Sequence, residues 1–137
     1  PGVPRRPHRD VTSRPVLLYD ADCRLCRFAE RIALLLDRDE RLAVLPLRDP
    51  AAEGLLASLA PEERYASWRL ARPDGSLVGY GAGVPELLRA TRLGRPLGCV
   101  LGLVPAPALD RSYRLVARHR GRLGRLVPDC PVRRLHP

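Results

Sequence analysis

The sequence predicts an α/β fold in which a four-stranded mixed sheet is flanked by helices and followed by a C-terminal helical extension. Three observations indicate this fold. Two short apolar runs enclose an amphipathic segment, a turn rich in Pro, Asp and Gly separates two further strand-like segments, and a helical pattern follows them. The length of 137 residues and the apolar fraction of 45% suffice for one hydrophobic core.

The first predicted unit is a strand, a helix and a strand. Residues 15–20, PVLLYD, form a short apolar run bounded by Pro and Asp, which is typical of a buried strand. Over residues 23–37 apolar side chains recur at helical spacing, and we expect Asp20 or Asp22 to cap the first turn of this helix. Residues 42–47, LAVLPL, form a second apolar strand, so a right-handed parallel crossover is expected.

The second predicted unit is a helix, a hairpin and a helix. A short helix is expected to begin near Pro50 and to end before Pro61. Residues 67–80, SWRLARPDGSLVGY, contain two short strands about a tight turn. The next helix has Pro85 in its first turn and Gly94 as its stop. The resulting order, βαβ, α, ββα, is that of a thioredoxin-like fold.

We divide the chain into a flexible, basic, Pro-rich tail (1–13), a thioredoxin-like core (14–94) and a C-terminal helical extension of the same domain (95–137). Within the extension, residues 109–127 are expected to form one helix with an apolar stripe and a solvated basic face. Weak contact of that face with a membrane surface or an acidic partner is the alternative. The stripe comprises Leu109, Tyr113, Val116, Leu123 and Val127.

The net charge of +9 does not by itself predict nucleic-acid binding, because every basic residue besides histidine is Arg, as is typical of GC-rich coding sequence. We therefore expect no specific nucleic-acid partner. No membrane span is expected, since the apolar stretch 97–109 is short and is interrupted by Pro105 and Pro107. Four cysteines without an apolar leader at the start predict a reducing, cytoplasmic location.

Cys23 and Cys26 lie where the first strand turns into the helix. The free N–H groups and the dipole at a helix start favour an anion there. We expect Cys23 at the very end of the helix and Cys26 one turn further in and more buried, which suits an attacking and a resolving thiol. Residues at this spacing have Cα atoms within about 6 Å, so a disulfide between them is within reach.

Asp20 ends the first strand and faces the cysteine turn. As a hypothesis, its carboxylate accepts or relays the proton of Cys26 while the second thiol attacks. A helix cap or a turn residue is the equal alternative.

A metal site would need two ligands besides the cysteine pair. Cys99 and Cys130 belong to no second close pair, and Cys99 lies in an apolar stretch where a small buried side chain is expected. Cys130 is either a third redox thiol or a tail residue without a role. The histidines are scattered: His8, His119 and His136. We therefore expect no metal and no other cofactor.

The stretch LLYDADCRLC resembles the opening motif of the DCC family of predicted thiol-disulfide oxidoreductases, a YDG-x-C-x-L-C pattern. Ala21 stands where the family usually has Gly, and Gly121 stands where an aromatic residue is common. The resemblance covers roughly residues 15–130 and includes the C-terminal family pattern Y-R-x-x-A-R-x-R. The matching residues are Tyr19, Asp20, Cys23, Leu25 and Cys26 in the first motif and Tyr113, Arg114, Ala117, Arg118 and Arg120 in the second.

This resemblance implies a thioredoxin-like fold and a disulfide reductase activity. Under this hypothesis Cys23 attacks the substrate, Cys26 resolves the mixed disulfide, and Asp20 assists the second step. The substrate is expected to be a protein or small-molecule disulfide or dithiol, with an electron donor that the sequence does not identify. The alternative is a non-catalytic thioredoxin-like binding module. Its cysteine pair would be redox-silent or bind metal, and its basic C-terminal helix would dock to a partner or a membrane.

Overall fold

The computed structural model of the chain describes residues 14–135. The predicted tail over residues 1–13 lies outside the described residues, and the division into tail, core and extension stays a prediction. Within the described part, no helix is both long enough and apolar enough to cross a membrane.

The sheet has four strands in the order β2-β1-β3-β4. The strands β1 and β2 are parallel, whereas β3 is antiparallel to both β1 and β4. This arrangement confirms the predicted mixed sheet, and the β3–β4 pair confirms the predicted hairpin. The strands are β1 (Val16–Tyr19), β2 (Ala43–Pro46), β3 (Arg69–Ala71) and β4 (Leu77–Gly79).

Six α-helices are found among the described residues, and a short 3₁₀ turn over Pro50–Ala52 leads into the second of them. The first helix confirms the helical spacing seen after the cysteine motif. The helix expected after Pro50 is present but short. The helices are α1 (Arg24–Leu36), α2 (Glu53–Leu56), α3 (Val84–Arg89), α4 (Arg95–Leu101), α5 (Ala106–Arg118) and α6 (Arg120–Leu126).

The helix predicted to stop at Gly94 ends earlier, at Arg89. The reason is a side chain: the hydroxyl of Thr91 donates to the carbonyl of Leu88 and accepts from the N–H of Gly94. This reverses the chain within a few residues. Gly94 is thus the N-cap of α4, a helix that was not expected from the sequence.

The single helix expected over residues 109–127 is also wrong, because the chain breaks at His119 into α5 and α6. A continuing α-helix would bond the backbone N–H of His119 to the carbonyl of Leu115. Instead this N–H bonds to Val116, and the imidazole Nδ1 lies 3.0 Å from the carbonyl of Leu115. A polar side chain that competes for a backbone group ends a helix in this way.

Both faces of the sheet are covered, because alternate side chains of each strand point to opposite sides. One core layer lies against the 3₁₀ turn and α2, and the other lies against α1 and α3. The first layer contains Val16, Leu18, Ala43, Leu45, Leu47, Ala52, Leu56 and Ala71, and the second contains Leu17, Tyr19, Ala33, Leu42, Val44 and Leu70.

The helix α5 packs against the glycine-rich turn that follows β4. A Cβ added at Gly81 would overlap the backbone carbonyl of Leu109, so only glycine permits this close approach. The carboxylate of Asp110 accepts a hydrogen bond of 2.8 Å from the N–H of Ala82 and fastens the same contact. The helix α5 is therefore anchored directly on the β4–α3 turn.

Glu30 lies on the inward face of α1 and is only 2% exposed. Neither of its carboxyl oxygens has a hydrogen-bond partner among residues 14–135. Desolvation outweighs the attraction of Arg31 and raises the pKa of Glu30 to about 7.

We expect Gly81→Ala to lower the free energy of unfolding by about 1–3 kcal/mol, because the backbone of α5 must move away from the new methyl group. Gly54→Ala is the matched control, since Gly54 lies in α2 with nothing within 4 Å of the added Cβ. That change should stabilise the protein by about 0.5–1 kcal/mol through helix propensity. Urea denaturation measures both, and equal effects of the two substitutions would contradict the steric argument.

We expect Glu30→Gln to raise the free energy of unfolding near pH 8 and to change it little near pH 5. The folded protein holds the Glu30 proton up to about pH 7, whereas an ordinary glutamate releases it near 4.5. Wild-type stability therefore falls as pH rises through this window. The full difference is about 3 kcal/mol.

Urea denaturation at several pH values measures this difference, with Glu62→Gln at an exposed position as the control. A difference between Glu30→Gln and wild type that stays constant with pH would contradict a buried, unpaired Glu30.

Candidate active site

Cys23 is the N-cap of α1 and is itself the residue that closes the first turn. Its backbone is extended, with φ of −101° and ψ of 117°, and its Sγ accepts a hydrogen bond of 3.2 Å from the N–H of Cys26. The expectation that Asp20 or Asp22 caps the helix is therefore wrong. The sulfur takes the place of the side-chain oxygen that usually caps a helix start.

Asp20 acts as a turn residue on one side and faces a cation on the other. Its Oδ1 accepts from the N–H of Asp22 at 3.0 Å, and its carbonyl accepts from the N–H of Cys23 at 3.2 Å. Its Oδ2 lies 3.6 Å from the guanidinium of Arg120. The residue between the two aspartates, Ala21, does not adopt a positive φ, so the turn does not require the glycine that the family usually has there.

Arg120 lies in the site although hydrophobic periodicity and cysteine spacing do not point to it. It begins α6, yet it lies beside both thiols and beside Asp20. Desolvation lowers the pKa of its guanidinium, but the opposing effects of Cys26, Cys23 and Tyr113 outweigh it, and the net pKa is raised. Only the C-terminal family pattern, which ends on Arg120, carried a signal for this residue.

The two thiols have different surroundings. Burial raises the pKa of the Cys26 thiol far above its usual range, and the hydrogen bond to Cys23 and the nearby charge of Asp20 add to the rise, while Arg120 opposes it. As a whole residue Cys23 is only 8% exposed, whereas Cys26 is half-buried, so the expected order of exposure is wrong. Cys26 is nevertheless the thiol that needs help to lose its proton.

Cys23 opens onto a polar pocket of about 370 Å³ at the junction of the β1–α1 turn and α6. Gly121 forms part of the wall, and an added Cβ there would meet nothing within 4 Å, so the pocket is open at this point. The charged residues that line it are Asp20, Asp22, Arg24, Arg120 and Arg125. The surroundings of Cys23 on this side are therefore polar and charged.

Arg27 fixes the cysteine turn to the C-terminal segment. Its guanidinium donates to the carbonyl of Ala21 at 2.6 Å, to the carbonyl of Cys130 at 2.8 Å and to the carboxylate of Asp129 at 2.7 Å. The hydrogen bond with Asp129 is the main reason why the pKa of Arg27 is raised and that of Asp129 is lowered. Cys130 thus enters the site through its backbone, and its thiol lies 3.8 Å from the carbonyl of Pro128.

The other residues weighed as metal ligands, Cys99 and the histidines, are not seen beside the cysteine pair in the part of the chain that the structure describes. Cys99 is exposed, contrary to expectation, because Gly98 packs against α3 and turns its neighbour outward. His119 is exposed at the break between α5 and α6, while His8 and His136 lie outside the described residues. Between residues 14 and 135, no three or more His, Cys, Asp and Glu side chains are grouped so that they could hold a metal ion.

The chain matches the family model described as DCC1-like thiol-disulfide oxidoreductase over residues 17–126, which is most of its length. No match was found among curated proteins or among solved structures. The matched range runs from β1 to the end of α6 and so includes every residue that surrounds the two thiols except those of the C-terminal segment. With its cysteine pair at the start of α1, this chain belongs to the DCC1-like thiol-disulfide oxidoreductases.

Proposed function

We propose that Cys23 is the attacking thiol and Cys26 the resolving thiol of this oxidoreductase, and that the enzyme works as a disulfide reductase. The observation that carries the assignment is the position of Cys23 Sγ, which accepts the N–H of Cys26 at the helix start with Arg120 alongside. Cys26 lies one turn further in, and burial raises the pKa of its thiol although Arg120 opposes the rise. These differences favour Cys23 over Cys26 as the attacking thiol.

The reaction proceeds by two exchanges. The thiolate of Cys23 attacks one sulfur of a substrate disulfide, forms a mixed disulfide and releases the other sulfur as a thiolate. The thiolate of Cys26 then attacks Sγ of Cys23, forms the Cys23–Cys26 disulfide and releases the second substrate thiolate. The two protons lost by the cysteines end on the two released thiols. A dithiol donor reduces the enzyme again by the same steps in reverse order.

Arg120 and Asp20 have different roles in these two exchanges. Arg120 stabilises negative charge on the attacking sulfur and lowers the pKa of Cys26. The charge of Asp20 raises the pKa of the Cys26 thiol, and this proximity supports a role for its carboxylate as the acceptor of that proton. We assign to Asp20 the relay of the Cys26 proton to solvent through the polar pocket.

The substrate is a disulfide or dithiol that reaches Cys23 from the polar pocket. The arginines of its wall favour polar or anionic groups beside the reacting sulfur. We place the enzyme in a reducing, cytoplasmic compartment, where a dithiol form of the pair is maintained and reduction of substrates is favoured.

We expect Cys26→Ser to accumulate mixed disulfides through Cys23 in cells, because the first exchange still occurs and the second cannot. Cys23→Ser is the control and should accumulate none at this site. Affinity purification under acid quench, followed by mass mapping of disulfides, gives the readout. The proposed function is contradicted if Cys23 is alkylated no faster than N-acetylcysteine and no mixed disulfide appears.

The redox state of the cysteine pair in the same quenched cells tests the proposed direction of electron flow and the proposed reducing compartment. In the wild-type chain we expect the Cys23–Cys26 pair to be mainly a dithiol. A pair found mainly as a disulfide would contradict the reductase assignment while leaving the exchange chemistry intact.

We expect Asp20→Asn to slow the second exchange by about tenfold or more and to flatten its pH dependence, since the proton relay is lost. If the carboxylate acted only through its charge, the same change would lower the pKa of Cys26 and speed that step. Stopped-flow reaction with 2,2′-dithiodipyridine resolves both exchanges by the release of pyridinethione. Asp22→Asn, in the same turn, is the control.

The assay uses a background with serine at Cys99 and Cys130. Arg120→Gln should slow the first exchange by about two- to fivefold, because the thiolate of Cys23 loses a cation.

A pH–rate profile of the second exchange that Asp20→Asn leaves unchanged would contradict the role of Asp20 as a proton relay.

A further inference from the structure

A second cavity lies on the other side of the cysteine pair. It is a groove of about 450 Å³ that opens between α1, α3 and α5, and its lining is almost entirely apolar. The thiol-bearing residue Cys26 belongs to its wall, whereas Cys23 does not. The groove is therefore separate from the polar pocket through which substrate reaches the attacking thiol.

The aromatic side chains of the protein are concentrated in this groove. The chain has one Phe, one Trp and four Tyr, and four of these residues line the groove: Tyr19, Phe28, Trp68 and Tyr113. Rings of this kind attract other rings in offset or edge-to-face arrangements. A cavity of this volume with such walls suits a small molecule that contains a planar ring.

Glu30 supplies a polar group to the same groove. It belongs to the lining, it is 2% exposed, and both of its carboxyl oxygens are without a hydrogen-bond partner among the described residues. An unpaired buried carboxyl is costly, and such groups in native proteins are usually satisfied. A hydrogen-bonding group on a molecule in the groove would satisfy it.

We propose that the groove is a binding site for a planar, apolar ring compound that carries a carbonyl group. The ring packs among Tyr19, Phe28, Trp68 and Tyr113, and the carbonyl accepts a hydrogen bond from Glu30. An occupant also covers Cys26 from this side. The inference concerns binding and stands whether or not Cys23 and Cys26 exchange disulfides as proposed.

The test uses acetophenone and ethylbenzene, which share a ring and a two-carbon chain but differ in the carbonyl. Trp68 is the only tryptophan, so its indole N–H gives one NMR signal that reports the groove. Titrations are run near pH 6, where Glu30 holds a proton because its pKa is raised to about 7. We expect saturable shifts of this signal with both probes.

Glu30→Leu should lower the affinity for acetophenone relative to ethylbenzene by about three- to tenfold, the value of one hydrogen bond. Glu30→Gln keeps a donor and should preserve the ratio. Ala29→Phe adds a ring at an exposed position of the groove wall and should weaken both probes by about tenfold or more. Ala108→Phe, exposed on α5 outside the lining, should change neither.

Several results would overturn the proposal. One is the absence of a saturable shift up to the solubility of the probes. Another is unchanged affinity for both probes in Ala29→Phe. A third is an affinity for acetophenone relative to ethylbenzene that Glu30→Leu does not change. Sedimentation as a dimer that Ala29→Phe converts to a monomer would show that a second copy of the chain fills the groove instead. Thermal unfolding of each variant accompanies the titrations, and Ala29→Phe lies on the surface, so the test does not depend on the buried substitutions alone.

Discussion

The hydrogen bonds of Arg27 hold together the two parts of the chain that make the active site. One guanidinium joins the carbonyl of Ala21, in the cysteine turn, to the carbonyl of Cys130, near the chain end. Its side chain is 17% exposed while that of Asp129 is 65% exposed, so the bonds to the two shielded carbonyls matter more than the ion pair. Beyond this joint the C-terminal segment continues to Tyr19, whose hydroxyl donates to the carbonyl and accepts from the N–H of Arg133.

The two cysteines face different cavities although they are three residues apart. The wall around Cys23 is charged and open to water, whereas the wall around Cys26 is aromatic and nearly free of polar groups. Low polarity raises the pKa of Cys26, whereas the sulfur of Cys23 accepts the N–H of Cys26 and lies near Arg120. The division of labour proposed for the two thiols thus rests on where α1 begins relative to the two cavities.

Hydrophobic periodicity was sufficient to predict the sheet and α1, because β1 and β2 are buried runs and α1 has one apolar face. It failed at Gly94 and His119, where hydrogen bonds of Thr91 and His119 themselves decide how a helix ends. It also failed at Cys99, since burial there depends on how Gly98 meets α3. Periodicity records which side chains are apolar and carries no information on such local competition for backbone groups.

The break at His119 is also what completes the active site. Because α6 is a separate helix, it can pack along the start of α1, where Gly124 lies against Arg24 and Leu25. Arg120, at the first position of α6, is thereby held beside Asp20 and the two thiols. A helix that continued through His119 would keep the direction of α5 and carry Arg120 along that axis instead. The irregularity that defeated the sequence prediction is therefore the feature that brings the cation to the cysteines.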